Sequence, residues 1–152
     1  MSGFTPDILE AIAQARDAFR ARGRPLPPDA VEDLARAWLE AWRELERTET
    51  PSPGLWAELE MEDLHRTEPE SALVVLGRAL ELAPGLDTEF LVFEQLRTLL
   101  QAQPEFAERR LPAFLNEHPS LRARISQLCA RGQTPPDWPP EVFAQLCASV
   151  AG

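Results

Sequence analysis

No segment of this chain alternates apolar and polar residues as a half-buried strand must. Apolar residues instead recur at spacings of three and four, and that period constrains the chain to helices. The helix ends are marked as well. Thr5 followed by Pro6 is a cap with proline at the first helical position, and Ile8, Ile12, Ala15 and Phe19 then form one stripe ending near Gly23. After RPLPP, Asp29 and Glu32 have capping-box spacing, and Val31, Leu34, Trp38, Ala41, Trp42 and Leu45 make a wide apolar face. The stretch TETPSPG, residues 48–54, strings together helix breakers and reads as a loop. Beyond it Leu55, Trp56 and Leu59 share one side of a helix while Met61 and Leu64 fall on others, which predicts a bend near Glu60.

Thr67 and Glu70 repeat the capping-box spacing around Pro69 and open SALVVLGRALELAPG, a run apolar most of the way round and therefore expected as the central helix. Asp87 is placed to cap the next helix, with Phe90, Phe93, Leu96, Leu99 and Leu100 inward. Pro104 starts another, through Phe106, Leu111, Phe114 and Leu115, and Pro112 within it predicts a kink or a break. Leu121, Ile125 and Leu128 mark a further helix that stops at Gly132, and Val142, Phe143 and Leu146 mark the last one, over 141–150. The expectation is an all-α fold of seven or eight helices, an orthogonal bundle or a short curved array of helical hairpins. A length of 152 residues suits one helical domain spanning 1–152. Trp38, Trp42 and Trp56 are expected in its core, and Trp138, set among four prolines in TPPDWPP, at its surface.

Cys129 and Cys147 lie eighteen residues apart with no Cys-x-x-Cys and no neighbouring histidine, so they read as small buried hydrophobes of a reducing cytosol rather than as a redox pair. No basic region followed by an apolar run opens the chain, and no segment approaches a membrane span of roughly 20 apolar residues. A cytoplasmic protein is expected. The net charge is −10 and all fifteen basic residues are arginine, a composition associated with GC-rich bacterial genomes. That balance disfavours nucleic acid and anionic membranes, which need clustered cations. Charge is unevenly spread: residues 40–70 hold ten acids and three arginines, whereas 108–131 hold five arginines and two glutamates.

Ala72, Leu76, Ala79, Leu80, Glu81, Leu82 and Pro84 match the second half of a tetratricopeptide repeat, but the following helix lacks the residues of a first half. A wider likeness runs from AWLEAW through WAELE, TEPESALVVLGRALE, FEQLRTLL and FAERRLPAFL to HPSL. Over about residues 35–128 the chain resembles a family of small bacterial helical proteins known as a domain of unknown function. The family's tryptophan-alanine pair maps onto Trp56-Ala57, its acidic-Pro-Glu-x-Ala helix start onto Glu68 to Ala72, its Leu-Glu-x-Leu-Leu-like segment onto Leu96 to Leu100, and its final turn onto His118-Pro119. This sequence departs from it at Phe93-Glu94-Gln95. The matching positions are capping and core residues, so the resemblance implies a fold more than an activity.

Chemistry concentrates in WAELEMEDLHRTEPE, which places six carboxylates and a histidine between Trp56 and Glu70. Glu62-x-x-His65 has a metal-ligand spacing, but a dinuclear helical site needs a second such pair and further glutamates, so no metal or other cofactor is expected. His65 reads as a solvated residue near a helix end. No nucleophile elbow, cysteine-histidine pair or phosphate loop is present, which argues against an enzyme. Arg109, Arg110, Arg122 and Arg124 could grip an anion or compensate helix dipoles. A binding role remains. The first expectation is an acidic module, like an immunity protein or antitoxin, that neutralises a basic protein partner such as a toxin through Glu58, Glu60, Glu62, Asp63, Glu68, Glu70 and Trp138. The alternative is a scaffold that holds a peptide or helix in a groove. A carboxylate-rimmed surface favours the first, and a groove lined by Leu and Phe the second.

Overall fold

The computed structural model describes residues 4–50 and 52–151, which form eight α-helices and one 3-10 turn, with no strand among them. The fold is all-α. Its contacts gather in two compact units, one ending at Leu82 and one starting at Ala83. The first holds α1 (Pro6–Arg20), α2 (Pro28–Thr48), the 3-10 turn (Pro53–Leu55), α3 (Trp56–Thr67) and α4 (Pro69–Leu82). The second holds α5 (Leu86–Ala102), α6 (Pro104–Glu117), α7 (Pro119–Ala130) and α8 (Pro140–Ala151).

Six of the eight α-helices begin on a proline, whose missing amide costs nothing at a position with no intrahelical acceptor and whose fixed φ already suits the helix. Thr5 caps α1 as expected, its hydroxyl accepting from the Ile8 amide at 3.2 Å. Proline also displaces the other expected caps. With α2 starting at Pro28 and α4 at Pro69, the pairs Asp29/Glu32 and Thr67/Glu70 are not capping boxes, and Thr67 donates its hydroxyl backward to the Asp63 carbonyl. Asp87 lies inside the first turn of α5, behind Gly85, whose φ of 139° is open to glycine alone. Pro112 neither ends nor divides α6. The carbonyl it leaves without a donor belongs to Glu108, on the exposed side where water can reach it.

In the first unit α2 and α4 pack against each other, and α3 is enclosed by α1, α2 and α4. Enclosure explains why α3 runs unbroken through Glu60 instead of bending. Apolar residues on several of its sides all find neighbours, so Ala57, Met61 and Leu64 are buried together. The apolar surround of α4 is likewise used, from Ala72 to Leu80, with Val74 left exposed. Trp38 is fully buried, and Phe19 packs on Trp56 with ring centres 5.4 Å apart. Trp42 and Trp56 are only half-buried, a partial departure from the expected core.

In the second unit α8 packs against α5, α6 and α7 and forms the middle of the group. Two expectations are corrected here. Trp138 is 4 % exposed: it stacks on Phe93 at 4.7 Å and meets the edge of Phe143 at 5.8 Å. Prolines deny this segment a helix, but they also stiffen it, so folding the tryptophan back onto α5 orders few additional torsions. Arg97 holds the segment by donating to the Asp137 carbonyl at 2.8 Å. Cys129 and Cys147 form a disulfide that joins α7 to α8, rather than standing as two thiols. The eighteen-residue spacing carries no signal of pairing, because the chain between them must first turn back to bring the two helices together.

The two indoles of α2 separate in their expected cost. Trp38→Ala should lower unfolding stability by about 3–5 kcal/mol, and Trp42→Ala by roughly half as much, because it gives up less buried surface. Urea denaturation of both variants measures this; equal losses would show that Trp42 is as fully packed as Trp38.

Candidate functional site

The acidic stretch on α3 and the start of α4 does not form a common outer face. Glu60 is completely buried and its carboxylate is shared by three arginines. Arg16 and Arg20 of α1 donate through Nε to Oε1 at 2.6 and 3.2 Å, and Arg24, in the segment before α2, donates through Nη2 to Oε2 at 3.2 Å. Arg24 reaches Glu68 as well, at 3.3 Å, and Glu68 accepts from the Ser71 hydroxyl at 2.8 Å. Glu58 accepts from both indoles of α2, Trp38 at 2.7 Å and Trp42 at 3.2 Å. Asp63 lies among Arg66, Arg20 and Arg24 at 3.2, 3.9 and 4.0 Å. Of the residues expected to meet a partner, Glu62 and Glu70 are exposed, Glu58, Asp63 and Glu68 half-buried, and Glu60 and Trp138 buried. The exposure expected of Glu58, Glu60, Asp63 and Trp138 is therefore corrected. The cause is charge pairing for the acids and ring stacking for the tryptophan.

His65 is buried and not at a wet helix end, while Glu62 faces solvent, so the two side chains of Glu62-x-x-His65 occupy different surroundings. Among the described residues no group of three or more His, Cys, Asp or Glu is placed to hold a metal ion. Further ion pairs tie the first unit together. Glu32 of α2 accepts from Arg78 of α4 at 2.5 Å and from Arg36 at 2.7 Å. Arg22 bridges Asp29 and Asp33 at 3.0 and 2.7 Å. The Arg78 hydrogen bond holds the Glu32 carboxyl below its ordinary pKa, and the Arg22 hydrogen bond does the same for Asp29.

An open apolar groove lies in the second unit. One wall is the α5 ridge of Leu86, Phe90 and Phe93, the other the α7 ridge of Leu121, Ile125 and Leu128, each at helical three- and four-residue spacing. Pro135 forms a lip, and the cavity measures about 250 Å³. Arg124 spans the rim by donating to the nearly buried Glu89 carboxylate. Leu86 and Phe90 are 59 % and 58 % exposed, although Phe90 was expected to face inward. The α5 period places Phe90 and Phe93 near one side, but only Phe93 has Trp138 to cover it. Two large apolar side chains beside an apolar groove are the kind of surface that monomeric proteins seldom leave open. Of the four arginines considered for anion binding, Arg124 is engaged by Glu89 and Arg122 by the Val150 carbonyl at 3.0 Å.

The fold and this cleft define an all-α protein with an apolar groove on a helical unit. Compared with protein-family models, curated proteins and solved structures, the chain matches none of them. Among the described residues no helix is long and apolar enough to cross a membrane.

Two measurements test the charge network. Glu60→Gln leaves three guanidiniums around a neutral amide and should cost about 2 kcal/mol or more, since removing one partner of a buried pair exposes the desolvation of the rest. A neutral outcome would mean that water already screens the cluster. The pH dependence has a defined sign. Glu32 and Asp29 have folded pKa values below their unfolded ones, so their contribution is complete above the ordinary carboxylate range and is lost as pH falls through the depressed values, below about 4. In Arg78→Met the part of this loss due to Glu32 should shrink but not vanish, because Arg36 still donates to the same carboxylate. Denaturant titrations between about pH 3 and 6 read it directly.

Proposed function

We propose that this chain is a non-enzymatic, cytoplasmic protein-binding module that takes an amphipathic, basic helix or peptide of a partner into the groove between α5 and α7. The observation that carries the reading is the exposed pair Leu86 and Phe90 at the edge of an apolar cleft. Such a cleft is filled by apolar side chains spaced one helical turn apart, the mode in which grooves accept helices. The partner's charge follows from the chain's own. A net charge of −10 speeds encounter with basic segments through the long-range field. The α7 wall carries Arg122 and Arg124, so Arg or Lys should flank the apolar anchors on the side away from α7.

This reading keeps the basic partner expected from composition, a toxin included, and moves its docking site. Glu58, Glu60, Asp63 and Glu68 are held by groups of the chain itself, so offering them to a partner would first break those bonds. Glu62 and Glu70 contribute to the long-range field.

A selection from a library of helical peptides supplies the test. Retained peptides should carry apolar residues at i, i+3 or i+4 and i+7 with basic flanks. Phe90→Glu should weaken them about tenfold or more without lowering the thermal midpoint, because the side chain is largely exposed already. Binding that ignores Phe90→Glu but is lost in Glu62→Lys would return the site to the acidic stretch.

A further inference from the structure

The two ends of the groove's second wall are secured unequally. Leu121 and Ile125 are the buried residues of α7 and anchor its first half, whereas beyond them its last turn has only the half-buried Leu128 and Cys129. Near its start α7 is tied to α8 by Arg122 donating to the Val150 carbonyl. Near its end the tie is covalent. Cys129 directly follows the groove residue Leu128, and its partner Cys147 is on α8. The chain closed by this bond includes Pro135, the groove's lip. Both cysteines are half-buried, within reach of an attacking thiol.

We propose that the Cys129–Cys147 disulfide is a redox clamp on the groove: oxidised, it holds the Leu128 and Pro135 side in place for the ligand, and reduced, it releases that side and weakens binding. The inference rests on the groove reading given above. The reductant is a dithiol of the kind that maintains a reducing cytoplasm. One of its thiolates attacks a sulfur of the bond and forms a mixed disulfide, expelling the other cysteine as thiolate. Its second thiol then displaces the attached cysteine. The dithiol leaves as a disulfide, and its two electrons and two protons remain with Cys129 and Cys147 as two thiols. In a cytoplasmic setting a bond of this type is more often a sensor than a permanent staple. The remaining anchors of the second unit do not depend on it. Trp138 stays stacked between Phe93 and Phe143, and Gln145 still donates to the Pro104 carbonyl at 2.7 Å, so the release is local to the end of α7 and the lip.

The test uses the whole chain and Nile red, a neutral dye that brightens in apolar clefts. Dye affinity is measured for the oxidised chain, for the chain reduced with dithiothreitol, and for Cys129→Ser/Cys147→Ser, with thiol titration verifying each state. Far-UV circular dichroism follows the fold. The expected result is a loss of affinity of about fivefold or more on reduction, recovered on reoxidation, with helicity retained. The double variant should bind like the reduced chain whether or not reductant is present. Equal affinity in the two redox states, with oxidised binding still lost in Phe90→Glu, would overturn the clamp and leave the groove standing. Oxidised binding that ignores Phe90→Glu would overturn the groove and the clamp with it. Loss of helicity on reduction would also overturn the clamp, by making the bond a staple of the whole unit.

Discussion

Because a carboxylate removed from water without partners costs an amount comparable to the net stability of a domain, the burial of Glu60 dictates what must surround it. Its answer is three guanidiniums, two from α1 and one from the segment leading into α2. The pairing sets where α1 lies on α3, and it draws in Asp63 and Glu68 to balance the arginines' remaining charge. Arg24 also lies over the Phe19 ring at 5.9 Å, so the same cation that answers Glu60 covers an aromatic of α1. Glu58, two residues earlier on the same helix, plays the corresponding part toward α2 by accepting from both indoles. The acidic helix is thus the internal fastener of the first unit. A surface that looks anionic in sequence is largely neutralised from within.

The second unit is organised by different means. Its core is apolar and aromatic, with Trp138 between Phe93 and Phe143, and a covalent bond ties α7 to α8. Its ionic content is light, the pair of Glu89 with Arg124 being its most buried carboxylate contact among those described. The proposed binding site follows this division. A groove able to exchange ligands has to leave apolar surface uncovered, which is tolerable where other bonds hold its walls. The first unit, knit by ion pairs, has a smaller apolar pocket of about 90 Å³, lined by Trp42, Leu45 and Leu55 beside Glu58.

Much of the fold was legible in order along the chain because helices are local. The three- and four-residue apolar period, the Thr5-Pro6 start, the apolar run of α4 and the start of α6 at Pro104 all depend on neighbours within a few residues. Errors at helix starts were local too. Where proline and an acidic capping pattern compete, proline at the first position wins, as at Pro28 and Pro69. The candidate site was hardly legible. Phe90 belongs to the apolar period of α5 as fully as Phe93 does, and nothing adjacent tells which of them will be covered.

The sequence by itself therefore determined the helices, their approximate ends and the negative field around the protein, since these depend on short-range torsions and on a sum of charges. Only the tertiary structure decided which charges are spent inside. Glu60 meets arginines 36 to 44 positions away, and a carboxylate's neighbours at that distance leave no trace in its own helix. It also decided that Trp138 is covered, that Cys129 finds Cys147, and that Leu86 and Phe90 remain open beside a groove. Each of those outcomes depends on which surfaces meet when helices pack, and apolar periodicity states only that a surface must be covered, not by what.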